Sequence, residues 1–174
     1  MILFGDKIRP WESQPFFDLL TRIQAFTVVD YIRCYMLYQF AAHVKTLDGD
    51  VAEIGVYKGG TARILSETLP TKPVYLFDTF TGMPPVDTSI DLHREGDFNT
   101  TSLESVKNYL ADRSNVSFYP GFFPDTGAPV ENKKFCFVHI DVDIYQSVKD
   151  CLLFFYPRMV SNGIIILDDY GFNT

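Results

Sequence analysis

From residue 50 onward, short runs that are apolar at almost every position alternate with stretches of helical periodicity. Residues 51–56, 74–78, 115–119, 135–141 and 163–168 are runs of this kind, each of strand length. A strand that is apolar on both faces has to be covered on both faces, so these runs predict parallel strands sandwiched between helices. The segments between them supply the cover. Residues 60–69 put Ala62, Leu65 and Leu69 on one helical face and stop at Pro70. A second helix opens at Thr101-Ser102-Leu103-Glu104, where Thr101 and Glu104 have capping-box spacing, and carries Leu103, Val106 and Leu110 on one face. A third is built on Val148, Cys151, Leu152 and Phe155 and ends at Pro157. The predicted fold class is α/β, a doubly wound, mostly parallel sheet.

Ahead of this alternation, Phe16, Leu19, Leu20 and Ile23 follow helical spacing, and a further helix is predicted over residues 28–45 with Ile32, Met36, Phe40 and Val44 as its stripe. Residues 1–48 read as a helical extension, packed as core or folded as a lid, on a core of residues 49–174. The whole is one domain, because at 174 residues a single core buries about 70% of the surface that unfolding would expose. No apolar run nears the ~20 residues that cross a bilayer, and residues 1–6 lack the character of a signal peptide. The expectation is a cytoplasmic protein with no membrane partner. Cys34, Cys136 and Cys151 are odd in number, far apart and set in apolar stretches, which predicts reduced core thiols. A formal net charge of −7 without a Lys/Arg stripe argues against nucleic acid as a partner.

Two connections are long for a compact α/β domain, residues 79–100 and 120–134, and both follow strand carboxyl ends, where such sheets bind ligands. They are candidate pocket walls. The turn from the first strand into the first helix reads Glu53-Ile54-Gly55-Val56-Tyr57-Lys58-Gly59-Gly60-Thr61. Its glycines let the backbone turn tightly and let a ligand approach the free N–H groups of the helix start. The spacing is neither the dinucleotide G-x-G-x-x-G nor the phosphate-binding G-x-x-x-x-G-K-[ST]. Asp78, at the end of the second strand, is placed to accept hydrogen bonds from the two ribose hydroxyls of an adenosine-bearing cofactor; paired with Thr79 it is also a plain turn former.

A second group gathers acids. His139-Ile140-Asp141-Val142-Asp143 closes the fourth strand and Asp168-Asp169-Tyr170 the fifth. Neighbouring parallel strands lie about 4.8 Å apart, which brings Asp141 and the Asp168-Asp169 pair to one edge of the sheet. Three carboxylates so close repel one another unless a cation sits among them. An oxygen-only set with open positions suits Mg2+ better than Zn2+, with Mn2+ and Ca2+ left open. Each member has a plainer reading: Asp143 and Gln146 have capping-box spacing, His139 on an apolar strand is ordinarily a hydrogen-bonded core residue, and an Asp pair can simply end a strand.

These blocks, in this order, resemble the TylF family of macrocin-type O-methyltransferases. The resemblance runs from about residue 27 to Phe172, through the glycine turn, residues 77–84, 96–98 and 120–126, and the two acidic strand ends. It implies the Rossmann-like fold of class I S-adenosylmethionine-dependent methyltransferases, related to that of catechol O-methyltransferase. It further implies S-adenosylmethionine held by Glu53, Gly55, Tyr57, Gly59, Gly60, Asp78 and Thr79, and Mg2+ held by Asp141, Asp168 and Asp169. Asp143 is implied as general base, with His139 the lesser candidate. The implied acceptor is a small hydroxylated molecule, a sugar of a glycosylated natural product.

Two rivals belong to other classes. One is a binding or regulatory protein that keeps the cofactor pocket without turnover; it would bind S-adenosylmethionine with no metal dependence. The other is a nicotinamide-dependent oxidoreductase, disfavoured by the glycine spacing and by an acidic cluster that hydride transfer does not use. Family members continue past the Asp-Asp-Tyr motif with a helix and two strands, whereas this sequence stops four residues after Tyr170. With the usual strand order 3-2-1-4-5-7-6, the resemblance implies a form truncated after strand five. That makes Ile164-Ile165-Ile166-Leu167 an apolar edge, and the expectation is a homo-oligomer that covers it.

Overall fold

The strands β1 (Asp50–Ile54), β2 (Val74–Asp78), β3 (Val116–Pro120), β4 (Phe135–Ile140) and β5 (Met159–Leu167) form one sheet, in the order β3-β2-β1-β4-β5. Every neighbouring pair is parallel. The structure is a computed structural model and describes residues 14–168 and residue 170. The chain builds outward from β1 to β3 and then returns to β1 to build the other way. The carboxyl ends of β1 and β4 therefore flank the point where the winding reverses, and the connections that leave them diverge to opposite sides of the sheet. That divergence opens a crevice. All five predicted strands are present, with β5 starting earlier than its apolar run. The extra residues include the exposed Ser161 and Asn162, in a stretch where the register against β4 shifts.

Side chains alternate between two cores. Val51, Val74, Leu76 and Phe137 point to the face covered by α1 (Phe16–Ile23), α2 (Tyr31–His43), α3 (Gly60–Thr68) and α4 (Leu103–Tyr109). Ala52, Ile54, Phe77 and Val138 point to the face covered by α5 (Tyr145–Phe155). On that second face Phe123 stacks on Phe155 with ring centroids 5.3 Å apart, and Phe135 meets the same ring edge-on at 5.0 Å. Such ring pairs add about 0.5–1.5 kcal/mol each beyond area burial. Much of the aromatic content is thus spent on holding α5 and the 120–134 connection against the sheet.

The N-terminal helices follow the sequence in part. α1 buries Phe16, Leu19 and Ile23 as its periodicity predicts. α2 departs from most of the predicted stripe: Ile32, Met36 and Phe40 are exposed and Cys34, Leu37 and Ala41 are buried instead, while Val44, just beyond the helix, is buried as predicted. The reason is that α2 has apolar residues on both sides, so its spacing offers two stripes and the contact with α3 decides between them. The helix starts after Asp30, whose carboxylate accepts from Ile32 N and Arg33 N, a cap worth about 1 kcal/mol.

The start of α4 also departs from expectation. Its capping box joins Ser102 to Ser105 rather than Thr101 to Glu104. Thr101 Oγ1 is drawn away to donate to Tyr57 O at 2.5 Å, which ties the helix start to the glycine turn. The three cysteines are free and buried, as predicted. Among the described residues β5 is an edge of the sheet, with Ile164, Ile165, Ile166 and Leu167 half-buried. No helix among them is long and apolar enough to cross a membrane.

Candidate active site

The glycine turn closes on Asp78. One oxygen of this carboxylate accepts from Val56 N at 2.6 Å and Tyr57 N at 2.8 Å, and the other accepts from Phe80 N at 2.6 Å. Asp78 therefore does form a turn, the plainer reading of its place in the sequence. It also binds that turn to the end of β1. Asp78 lines the crevice, and its second oxygen also lies 3.5 Å from Thr79 Oγ1. Thr79 Oγ1 donates to Gly82 O at 2.7 Å and shapes the same wall. Tyr57, at φ 51°, places its hydroxyl 2.8 Å from Thr100 Oγ1.

Gly55 shows why the chain needs a glycine at the end of β1. Its φ is +86°, and a Cβ there would lie 1.6 Å from the carbonyl oxygen of Asp141. The backbones of β1 and β4 come together at this point, and Asp141 N donates to Ile54 O at 2.8 Å. The close approach sets Asp141 at the floor of the crevice beside the turn.

Behind Asp141 lies a buried polar chain. Glu53 and His139 are register partners on β1 and β4, at 0% and 1% side-chain exposure, with Glu53 Oε1 2.9 Å from His139 Nδ1. His139 Nε2 faces Asp168 Oδ1 at 3.7 Å. Burial opposes a charge on the imidazole, but the carboxylates of Asp168, Glu53 and Asp141 outweigh it and raise the pKa to about 10. Glu53 Oε2 is buried without a hydrogen-bond partner among the described residues. His139, Asp141 and Asp168 each place a potential ligand atom within 4.8 Å of the others. Burial pushes the Glu53 carboxyl up as well, and the carboxylates of Asp141 and Asp168 supply the oxygen donors of the group. That set fits a hard divalent cation that takes one or two carboxylates and keeps its waters.

Two clefts meet here. The first runs from Gly55, Asp78 and Thr79 past Met83 and Phe98 to Asp141 and Asp143. The second runs from Asp143 past Asp91 and Leu92 to Asp168 and Tyr170. Val142 and Asp143 line both. Asp143 sits at φ 58°, in the left-handed region, and its Oδ1 is 3.5 Å from His93 Nε2. The α5 cap is Ile144, and its first N–H, of Tyr145, is met by Asp91 Oδ1 at 2.9 Å. Gln146 Nε2 donates to Asp150.

Of the residues picked out in the sequence, the structure gathers Gly55, Asp78, Thr79, Asp141 and Asp143 on the first cleft and Asp168 on the second. Glu53 lies beneath, turned toward the α2 and α3 face. Gly60 serves packing, since a Cβ there would press on Phe26 O at 2.7 Å. Tyr57 and Gly59 belong to the turn and are not among the residues lining either cleft. Asp169 lies outside the described residues. Arg33, Asp91 and His93 were not foreseen. Arg33 reaches Asp168 from a helix 135 residues away, and the other two stand in a connection with no periodicity. No local sequence signal marks them.

The family described as Macrocin-O-methyltransferase (TylF) matches residues 21–174. The 8-demethyl-8-(2,3-dimethoxy-alpha-L-rhamnosyl)-tetracenomycin-C 4'-O-methyltransferase of Streptomyces olivaceus is 30% identical over 142 residues, 72% of this chain and 54% of that protein. Demethyldecarbamoylnovobiocin O-methyltransferase of Streptomyces niveus is 32% identical over 140 residues, 70% and 53% of the two chains. The chain thus spans about half the length of the curated relatives it matches. Among solved structures, the O-methyltransferase NovP superposes with a TM-score of 0.70 at 26% identity, covering 82% of this chain and 66% of that one. Calicheamicin methyltransferase CalS11 gives 0.70 at 16% identity, covering 96% and 73%, a likeness of fold. The sheet order, the glycine turn and the acidic strand ends agree with the match over most of the sequence: the chain belongs to the macrocin-O-methyltransferase (TylF) family.

Proposed function

We propose that this chain binds S-adenosylmethionine and Mg2+ and methylates a hydroxyl of a small molecule, a sugar of a glycosylated natural product. The observation that carries the reading is that Asp143 lines both clefts, between the glycine turn on one side and Asp168 on the other. Relatives named for methylating a rhamnosyl-bearing tetracenomycin and mycinamicin III support the acceptor class.

In this reading the first cleft takes the cofactor, with Asp78 toward the ribose and Gly55 and Thr79 shaping the pocket around it. The second takes the acceptor. Asp141 and Asp168, with Asp169, hold the ion. When bound, the cofactor supplies an electrophilic methyl group and the ion polarises a hydroxyl. Asp143 takes the proton that the hydroxyl releases. His139 is a positioning residue in this reading, because its ring is enclosed, bonded to Glu53 and set behind the clefts, 3.7 Å from Asp168 Oδ1. Met83, Phe98 and Phe122 line the cofactor cleft and exclude water from the transfer.

The test is calorimetry with S-adenosylhomocysteine and with NAD, each with and without MgCl2, followed by a screen for methyl transfer to hydroxylated glycosides and catechols. We expect S-adenosylhomocysteine to bind, NAD not to bind, and transfer to a glycoside to require Mg2+. Binding of NAD in place of S-adenosylhomocysteine, or transfer that is indifferent to chelation, overturns the reading.

A further inference from the structure

Arg33 stands in the first turn of α2 and reaches out of its helix into the acidic cluster. Its Nη1 donates to Asp168 Oδ2 at 2.5 Å and to the Asp168 carbonyl at 3.5 Å, while Nε donates to Asp30 Oδ2 at 2.8 Å. Asp30 in turn caps α2 through Ile32 N and Arg33 N. One guanidinium thus ties the start of α2 to the carboxyl end of β5. The Asp168 side chain is 7% exposed and that of Arg33 28%, so water screens the contact less than it screens a surface pair.

Asp168 Oδ2 faces the Arg33 guanidinium, and Oδ1 lies 3.7 Å from His139 Nε2. A divalent cation held by Asp141 and Asp168 has to share Asp168 with the guanidinium or displace it. Sharing sets a doubly charged ion and a singly charged head a few ångströms apart on one carboxylate, and like charges at that range repel strongly. The two neighbours differ in their freedom to leave. His139 is enclosed and bonded to Glu53. Arg33 has a long, partly exposed side chain and already holds a second carboxylate, Asp30, through Nε.

We propose that Arg33 is the resident counter-charge of the acidic cluster: it gives way to the divalent cation, and so couples occupancy of the cluster to the anchoring of α2. The inference rests on Asp141 and Asp168 acting as metal ligands. Without the ion, the guanidinium holds the start of α2 down beside the second cleft. With it, the tie to Asp168 is released, and α2 is kept in place by the Asp30 cap and by Cys34, Leu37 and Ala41. Arg33 then lowers metal affinity in exchange for a helix start that responds to the metal.

The experiment is titration of MgCl2 into the full chain saturated with S-adenosylhomocysteine, for the wild type, Arg33→Gln, Arg33→Lys and Arg22→Gln. Arg22 pairs with Glu67 at 2.5 Å, so its substitution removes the same charge from the N-terminal helices outside the cluster. Arg33→Gln is expected to bind Mg2+ at least tenfold more tightly than the wild type, with Arg33→Lys and Arg22→Gln within about threefold of it. Hydrogen exchange supplies the second readout, and needs no variant. In the wild type, MgCl2 should speed amide exchange over residues 31–36 at least threefold while slowing it around Asp141. Equal or weaker Mg2+ binding by Arg33→Gln overturns the proposal and leaves the metal reading standing, as does exchange over residues 31–36 that ignores Mg2+. Failure of every protein to bind Mg2+ while S-adenosylhomocysteine still binds removes the metal reading and this inference with it.

Discussion

Glu53 on β1 and His139 on β4 face each other in register, Oε1 to Nδ1 at 2.9 Å, where neither side chain meets water. Removing Glu53 leaves the enclosed His139 with only its longer 3.7 Å contact to Asp168, and breaking a buried pair in this way costs about 3–5 kcal/mol. Glu53→Ala is therefore expected to lower unfolding stability by that amount in urea denaturation. Replacing both partners by apolar groups removes the orphan. The double variant Glu53→Leu with His139→Leu should recover most of the loss while abolishing methyl transfer, and a double variant as unstable as the single one would show that the charge is not what matters.

Gly55 and Gly96 separate two kinds of glycine requirement. Both have positive φ, +86° and +85°, but a Cβ at Gly55 would meet Asp141 O at 1.6 Å, whereas at Gly96 nothing lies within 4 Å. Gly96→Ala is expected to cost the strain of the left-handed conformation, about 1 kcal/mol. Gly55→Ala has to push β1 and β4 apart as well, and is expected to lose more than about 3 kcal/mol along with S-adenosylhomocysteine binding. Denaturation curves of the two variants side by side make the comparison.

Asp78 accepts backbone donors on both oxygens. Asp78→Asn turns one acceptor into a donor that faces an N–H. The expected outcome is a loss of about 1.5–3 kcal/mol of stability, the value of a charge-assisted hydrogen bond, and at least tenfold weaker binding of S-adenosylhomocysteine by calorimetry. Unchanged cofactor affinity would separate the turn-forming role from the ribose-facing one.

Arg63 links α3 to Asp112 beyond α4, with Nη2 to Oδ1 at 2.9 Å, and its guanidinium lies over the Tyr109 ring. The hydrogen bond from Arg63 outweighs the small opposing effect of burial and holds the Asp112 carboxyl down at about 2. A carboxyl lowered by folding adds stability that is present in full above its unfolded value of about 4 and is lost as pH falls through about 2. The pair is half in solvent, so the increment is modest. Wild type should exceed Asp112→Asn in melting temperature at pH 6, and the gap should close as pH is lowered to about 2; a constant gap would assign the effect to packing.

The strands and the crossovers were legible because parallel strands buried on both faces leave apolar runs that little else produces, as in 135–140 and 163–167. Asp141, Asp143 and Asp168 were legible for a related reason: Asp141 and Asp168 follow such a run directly, and Asp143 stands two residues further on. Legibility failed where two solutions share one pattern. α2 offers Ile32, Met36 and Phe40 or Cys34, Leu37 and Ala41, and spacing cannot rank them. Thr101 and Ser102 are both capping residues, and the tie was broken by Tyr57 O, a partner distant in sequence. Arg33 stayed hidden because a long side chain carries its charge well away from its own helix, so its role is set by what β5 delivers.

The chain order of the acidic cluster has a consequence for folding. Arg33 lies near the start of the described chain and Asp168 near its end, and between them stand four parallel pairings, each of which needs a crossover to close. Contacts of that sequence separation form late. A chain emerging from the ribosome can therefore assemble β1, β2 and β3 with the glycine turn in place while Arg33 still has Asp30 as its partner and Asp141 still awaits β5. The Asp78 wall of the crevice forms before the charge balance of the opposite wall exists.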